Sequence, residues 1–430
     1  MMQPTSITSK MSPSYSMVKK YFMASILAFV ILTFLMFLKA DAVKGFHFSP
    51  KLLGLTHIAT LGWITMIIFG AMFQLVPVVL QVKLFSEKLS EIQFWLFSIG
   101  VIGMVYSFFQ FETDLLAIFA SLVSLAILIF IFNIFASITK VKQWEITGTY
   151  IIAALIYLLF TIIAGFMLAF NLYDPYFKSN HLEYLKLHAH LAFIGWVTMM
   201  IMGVSYKLIP MFSLSHGFSI KPAKWVFAFL NAGLILLTVE YHFPERTIML
   251  SIGTILIAAG ILVYLYQIYL IMKNRVRKIL DAGLTYTITS FAMMLIATAL
   301  GVFLVFEKHL EPADLAKLSL IYGYLILFGF FSMVIVGQLY KIVPFLAWFH
   351  KFSVKVGLEP VPMLKDMYSE KIAKLEFYIM NSAIIGTVIA MAIENELLIY
   401  FSTGIMFLSS LLLLKNMYSI FFIRELRNVN

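Results

Sequence analysis

The 430-residue chain is 62% hydrophobic and 12% charged, carries a net charge of +10 and contains no cysteine. Soluble domains carry about 25% charged residues, so most of this protein's surface must match lipid rather than water. The lack of cysteine excludes thiolate metal sites, cysteine-ligated iron–sulfur clusters and disulfides within the chain. Histidine and carboxylate remain as the metal ligands.

Apolar runs follow one another along nearly the whole chain. A helix needs about 20 apolar residues to cross a hydrocarbon core about 30 Å thick. The sequence therefore predicts an all-α, polytopic membrane protein that forms a single membrane domain over residues 1–430. The predicted membrane-spanning helices, in chain order, are 19–39, 52–80, 89–110, 114–138, 147–171, 186–212, 223–242, 247–272, 280–304, 318–345, 374–393 and 395–421.

The basic residues predict the orientation of these spans. With both termini in the cytoplasm, 23 of the 31 Lys and Arg residues lie on the cytoplasmic side, as the positive-inside rule requires. Basic loops beside an anionic leaflet explain the net charge, so no nucleic-acid partner is expected. We expect a multi-pass protein of a bacterial inner (cell) membrane, with the lipid bilayer as its main partner.

A repeated segment occurs in the second, sixth and tenth spans. It reads HIATLGWITM from His57, HLAFIGWVTM from His190 and YLILFGFFSM from Tyr324. In each copy a Gly, then a Gln or Lys, then a Pro follow 13, 17 and 20 residues after the start, and the starts lie 133 and 134 residues apart. This spacing predicts three pseudo-threefold repeats of four helices, over about 19–138, 147–272 and 280–421.

Two features of this segment predict ordinary structural roles. Its two glycines lie eight residues apart on one helix face, where they favour close helix approach. Lys207 and Lys341 lie near the predicted cytoplasmic ends of their spans, where we expect their side chains to snorkel.

Three histidines lie at or just inside the predicted outer ends of apolar spans. They are His57, His188 and His190. Ionisable side chains in such places mark functional sites, and neutral imidazole is the commonest metal ligand. A hydrogen bond to a neighbouring helix is the simpler structural explanation. Because His57 and His190 hold the same position in two repeats, we expect them at equal depth, where they could ligate one heme iron from opposite faces.

A second metal site is a further hypothesis. His188 precedes His190 by two residues, which turns its side chain by about 200° to nearly the opposite side of the helix. His188 and His242, with Glu240, would form this site. Interfacial residues of the aromatic belt explain the group equally well.

These residues and spans resemble the heme-bearing core subunit of the heme-copper oxidases and the related nitric oxide reductases. That family has twelve spans in three four-helix arcs, cytoplasmic termini and heme ligands near the outer ends of even-numbered spans. The resemblance implies that His57 ligates a low-spin heme. It also implies that His188 or His190 corresponds to a sixth-span ligand of copper or non-heme iron.

The chain departs from the family pattern at two places. Tyr241 and His242 stand where the seventh span of the family carries a His-His pair. Tyr322 and Tyr324 stand where the tenth span carries His-x-His, and a tyrosine phenolate is itself a known heme ligand. The His-x-His of this chain, His188 to His190, lies one repeat earlier. The resemblance thus implies heme b with an incomplete copper or non-heme iron site.

Functions from different classes follow from these observations. The leading hypothesis is a heme-binding redox protein that takes electrons from a quinol or a cytochrome, with possible accessory subunits, and acts on or senses oxygen or nitric oxide. A working oxidase or nitric oxide reductase with a rebuilt metal site is a variant of it. The alternative is a transporter or channel for a metal ion or small solute without heme, and an assembly factor that binds neither heme nor metal is a third possibility.

Overall fold

A computed structural model of the protein describes residues 12–45, 48–177, 181–242 and 247–423. Within these ranges the chain is helical and has no β-strand, and twelve helices are long and apolar enough to cross a membrane. The predicted all-α class and the number of spans are confirmed. Spans 1 to 12 are, in order, Tyr15–Leu38, Pro50–Val79, Glu87–Gln110, Thr113–Ile138, Ile146–Tyr173, His181–Ser213, Pro222–His242, Ile248–Lys273, Ala282–Phe306, Pro312–Lys355, Glu370–Ala392 and Glu396–Phe421.

Large apolar side chains remain exposed along many of these helices. Ile102, Phe132 and Tyr269, on three different spans, are each more than half exposed. A soluble protein rarely shows contiguous apolar surface of this extent, whereas a bilayer is its natural solvent. The exposed apolar surface agrees with a multi-pass membrane protein.

Three spans contain a π-helix, a wider helical segment that hydropathy alone does not predict. The π-helices in the described residues are Ile58–Thr65, Leu191–Thr198 and Leu325–Ser332, in spans 2, 6 and 10. Each begins one residue after the start of the repeated segment. The i to i−5 bonding is visible where the Met66 amide donates to the Leu61 carbonyl and the Met199 amide to the Ile194 carbonyl. Single π turns are rare and occur frequently at functional sites.

The glycines of the repeated segment allow helices to approach closely. A Cβ at Gly203 would lie 2.3 Å from the Cβ of Tyr150 in span 5, a distance that real side chains cannot share. Gly337 makes the same kind of contact, because a Cβ there would lie 2.7 Å from the Gly283 carbonyl in span 9. The expected packing role of these glycines is observed at both positions.

The chain divides into two compact units. Unit 1 comprises Met1–Val18, Ile67–Lys278 and Thr298–Leu310, and unit 2 comprises Lys19–Met66, Ile279–Ala297 and Glu311–Asn430. Each unit draws on more than one predicted repeat, so the single membrane domain and the repeat boundaries stay predictions. Five basic residues that entered the orientation argument lie outside the described residues: Lys10, Lys178, Arg246, Arg424 and Arg427.

Candidate metal-ligating site

His57 lies in unit 2, at the end of the α-helical turn Pro50–His57 and directly before a π-helix. Its Nδ1 is 2.8 Å from the carbonyl oxygen of Leu53, four residues earlier. A carbonyl only accepts, so Nδ1 carries the hydrogen and Nε2 carries the lone pair of the neutral ring. This tautomer is the one that metal-ligating histidines adopt when a backbone carbonyl orients them.

His190 repeats this arrangement in unit 1. It ends the α-helical turn His181–His190, precedes the π-helix Leu191–Thr198, and holds its Nδ1 2.8 Å from the carbonyl oxygen of Lys186, again four residues earlier. Its ring lies 5.3 Å from the ring of Tyr241 in span 7. His190 therefore also presents a lone pair on Nε2, with its ring orientation fixed by its own helix.

His188 turns toward a different helix. Its Nδ1 is 3.0 Å from the carbonyl oxygen of Thr161 in span 5, whereas His190 lies beside span 7. The approach depends on Gly165, because a Cβ at that position would lie 2.8 Å from Cε1 of His188. The rotation expected from the two-residue spacing thus gives the two histidines different neighbours, and Gly165 is a positioning residue that sequence reasoning missed.

The corresponding position of the third repeated segment holds a buried aromatic residue. Tyr324 is the last residue before the π-helix Leu325–Ser332, and its ring stacks on Phe328 at 4.7 Å. Tyr322, two residues earlier, is half-buried. At this position of the repeated segment, the third copy therefore has a stacked phenol ring where the other two copies have an imidazole. A ligand role for either tyrosine stays a prediction.

The residues of the hypothesised second metal site, His188, His242 and Glu240, are not arranged as a metal-binding group. In the part of the chain that the structure describes, no group of three or more His, Asp or Glu side chains is arranged to hold a metal ion. His242 is exposed and lies 6.3 Å, ring to ring, from Tyr184, while Glu240 is buried in the same helix. These residues do not fit a three-ligand copper or iron centre, and a role for His188 and His242 together stays a prediction.

Comparison with known proteins gives a structural likeness without a sequence likeness. No family model matches the chain, and no curated protein matches it. Among solved structures, a heme-copper terminal oxidase dimer determined by cryo-electron microscopy is similar, with a TM-score of 0.72 over 96% of this chain and 85% of that chain. The chain shares the fold of that oxidase. At 11% identity the likeness concerns the fold alone.

The oxidase-like fold agrees with the family resemblance seen in the sequence. The shared property is the fold, and the described residues of this chain include twelve apolar helices long enough to cross a membrane. The residues that would carry chemistry are a separate matter, because one fold hosts many functions. Among the described residues, His57 in unit 2 and His190 in unit 1 each hold Nδ1 against a backbone carbonyl, which makes Nε2 the unprotonated nitrogen of each ring.

Proposed function

We propose that this protein is a heme-binding membrane redox protein, and that His57 of unit 2 and His190 of unit 1 are each a heme-ligating residue. The observation that carries the proposal is their shared local geometry. Each imidazole is oriented by its own helix through Nδ1 and a carbonyl four residues earlier, and each stands one residue before a π-helix. Backbone orientation of this kind fixes the tautomer and raises the basicity of the ligating nitrogen.

In this proposal the histidine side chains of the protein would hold a heme, and the nitrogen ligands they supply would influence the reactions of its iron. A bound b-type heme supplies reversible one-electron transfer. A neutral imidazole at His57 or at His190 would supply a strong nitrogen ligand to a heme iron. Each π-helix also carries a buried tryptophan six residues after the histidine, Trp63 after His57 and Trp196 after His190.

The setting of the proposed function is a bacterial cell membrane, with both termini in the cytoplasm. A quinol or a small cytochrome is the proposed electron donor, and oxygen or nitric oxide is the proposed gas that the protein reduces or senses. The oxidase-like fold and the apolar surface support a membrane redox role at the level of architecture. The chain has no cysteine, so it cannot attach a heme through cysteine thioethers as c-type cytochromes do. A c-type cytochrome donor would therefore be a separate chain.

The deciding experiment is a reduced-minus-oxidised visible spectrum of the detergent-purified protein, with iron and copper analysis. We expect the sharp bands of low-spin b-type heme in the wild type, and loss of heme from His57→Ala and from His190→Ala. His216→Ala is the matched control, since His216 is exposed and lies beyond the end of span 6. Full heme content in both variants would refute the assignment, and a protein without iron would favour the transporter or structural alternatives.

Gas consumption separates the two forms of the hypothesis. A reduced protein that consumes oxygen or nitric oxide would be a working oxidase or reductase with a rebuilt metal site. A protein that holds heme and does not turn over would be an electron carrier or sensor. We expect the second result, because the described residues lack a three-ligand centre for copper or non-heme iron.

A further inference from the structure

Unit 2 contains a carboxyl group that the heme hypothesis does not use. Glu376 is 1% exposed and lies six residues into span 11, about 9 Å along the helix from its start. The Tyr340 hydroxyl of span 10 is hydrogen-bonded to its Oε2. Its other oxygen, Oε1, makes no hydrogen bond of normal geometry within the described residues. Ionisable groups inside membrane spans are costly and mark functional sites.

The groups around Glu376 are neutral. Tyr340 faces it from span 10, and the ring of Tyr286 from span 9 stacks on the ring of Tyr340 at 6.2 Å between centroids. Tyr368, in the loop before span 11, lies 5.0 Å ring to ring from Tyr340. Lys341 follows Tyr340 in sequence, but it is ion-paired with Asp281. A buried carboxylate without a cation is far more costly than a buried neutral acid, so this surrounding favours the protonated form.

A polar connection links the buried carboxyl to the surface end of span 11. Asn416 donates from Nδ2 to the Tyr340 hydroxyl at 3.0 Å, which leaves the hydrogen of Tyr340 for Glu376. The same amide donates to the Ser369 carbonyl at 3.3 Å, and the Ser369 amide donates to Asn416 Oδ1 at 3.3 Å. Ser369 is exposed and caps span 11. The carboxyl is therefore one tyrosine and one asparagine away from an exposed residue.

Packing alone does not require a carboxyl at this position. The corresponding residue is Gln93 in span 3 and Val226 in span 7; all three are buried and each is followed by a phenylalanine. An amide and an aliphatic side chain thus fill the same place in the other two predicted repeats. The ionisable group is a particular feature of the third.

We propose that Glu376 is a proton-binding site, protonated at neutral pH, that exchanges its proton with water at the Ser369 end of span 11. Release leaves a carboxylate and one proton in the aqueous phase, and uptake reverses the step. The Tyr340 hydroxyl stabilises the carboxylate while the proton is absent, because a hydrogen bond to the charged form favours it. This site does not depend on heme binding, so loss of either function leaves the other to be measured.

The experiment is infrared spectroscopy of the full-length protein in lipid vesicles at neutral pH. We expect a carbonyl stretching band of a protonated carboxylic acid that shifts to lower frequency in D2O and is absent from Glu376→Gln. The variant should fold, because Gln93 is accommodated at the corresponding buried position. Glu240→Gln is the matched control; Glu240 is the other buried carboxyl of the described residues, and its loss should leave the Glu376 band in place.

Three results would overturn the proposal. A spectrum with no band that depends on Glu376 would mean that the carboxyl is ionised. A band that does not shift after prolonged incubation in D2O would mean that the proton does not exchange. A band that disappears on adding NaCl, but not choline chloride, would identify a sodium site instead. If Glu376→Gln does not fold, Tyr340→Phe decides, since loss of its hydrogen bond must move the frequency of the Glu376 band and of no other carboxyl.

Discussion

Lys341 forms an ion pair with Asp281, the residue that caps the first helix of the third predicted repeat. Asp281 Oδ1 also accepts from the Leu284 amide at 3.1 Å, so the carboxylate holds both the helix start and the lysine. Lys207, at the corresponding place of the second repeat, pairs with Glu145 at 2.9 Å, directly before span 5. The second span of each of these two repeats is thus tied to the start of its first span.

The two pairs differ in burial, and their contributions to stability should differ accordingly. The side chains of Lys341 and Asp281 are 9% and 18% exposed, whereas those of Lys207 and Glu145 are 43% and 49% exposed. Removing one partner of a buried pair costs about 3–5 kcal/mol, since the other charge stays buried and unpaired, but an exposed pair contributes about 0–1 kcal/mol. We expect Lys341→Ala to lower the thermal midpoint in detergent far more than Lys207→Ala.

The double variant supplies the control for this comparison. Lys341→Ala with Asp281→Asn leaves no unpaired charge, so it should recover part of the stability lost in Lys341→Ala. Equal losses in Lys341→Ala and Lys207→Ala, or no recovery in the double variant, would contradict the burial argument.

For these two lysines, the sequence predicts the membrane span but not the ion-pair partner. Lys207 lies six residues before the end of span 6, close to the predicted place, whereas Lys341 lies 14 residues before the end of span 10, and both lysines form ion pairs that the spacing does not predict. The partners lie 60 and 62 residues earlier, in loops whose placement depends on the tertiary fold. A run of apolar residues predicts a membrane span, but it does not predict which polar side chains contact each other in the folded protein.

Span boundaries illustrate the same limit. Hydropathy predicts span 10 over 318–345, whereas the helix extends over Pro312–Lys355, because the charged residues at both ends lower the hydropathy without ending the helix. Span 7, predicted over 223–242, is Pro222–His242. The π-helices had no sequence signal beyond the shared Gly and Ser or Thr positions. Glu376 lies near the start of span 11, so the sequence alone would place it at the membrane–water interface rather than in a buried site.

The contact between Gly165 and His188 predicts a specific sensitivity. Gly165→Ala would bring a Cβ within 2.8 Å of Cε1 of His188, so the ring must move and its bond to the Thr161 carbonyl must weaken. We expect a destabilisation of about 1–3 kcal/mol, the usual cost of overpacking, measured as a lower thermal midpoint.

Gly323→Ala is the control for Gly165→Ala, because a Cβ at Gly323 would have no neighbouring atom within 4 Å. In a helix that change should stabilise by about 0.5–1 kcal/mol. Equal behaviour of the two variants would contradict the contact.

A hydrogen bond joins two of the π-helices within unit 2. The indole Nε1 of Trp63 donates to Ser332 Oγ at 3.0 Å, and both side chains are buried. The Ser332 hydroxyl hydrogen goes to the Leu327 carbonyl, five residues earlier, so the oxygen is available as an acceptor. Ser332→Ala leaves the buried indole N–H without its acceptor and should cost about 1–3 kcal/mol of stability.

Ser332→Thr is the matched variant for this bond. Thr65 and Thr198 occupy the corresponding positions, so threonine is compatible with the end of a π-helix and keeps the hydroxyl. We expect near wild-type stability from Ser332→Thr in the same thermal unfolding measurement. If Ser332→Ala is as stable as Ser332→Thr, the indole bond does not contribute to the packing of these two spans.

The predicted orientation is testable because the chain has no cysteine of its own. Lys278 and Lys308 are exposed and flank span 9, which is Ala282–Phe306. With the termini in the cytoplasm, Lys278 faces inside and Lys308 faces outside, since the basic cluster before span 9 favours the cytoplasmic side. In intact cells we expect a membrane-impermeant maleimide to label Lys308→Cys at once, and Lys278→Cys only after the membrane is permeabilised. The reverse pattern would place His57 and His190 near the cytoplasmic face and would require the electron donor to reach the protein from that side.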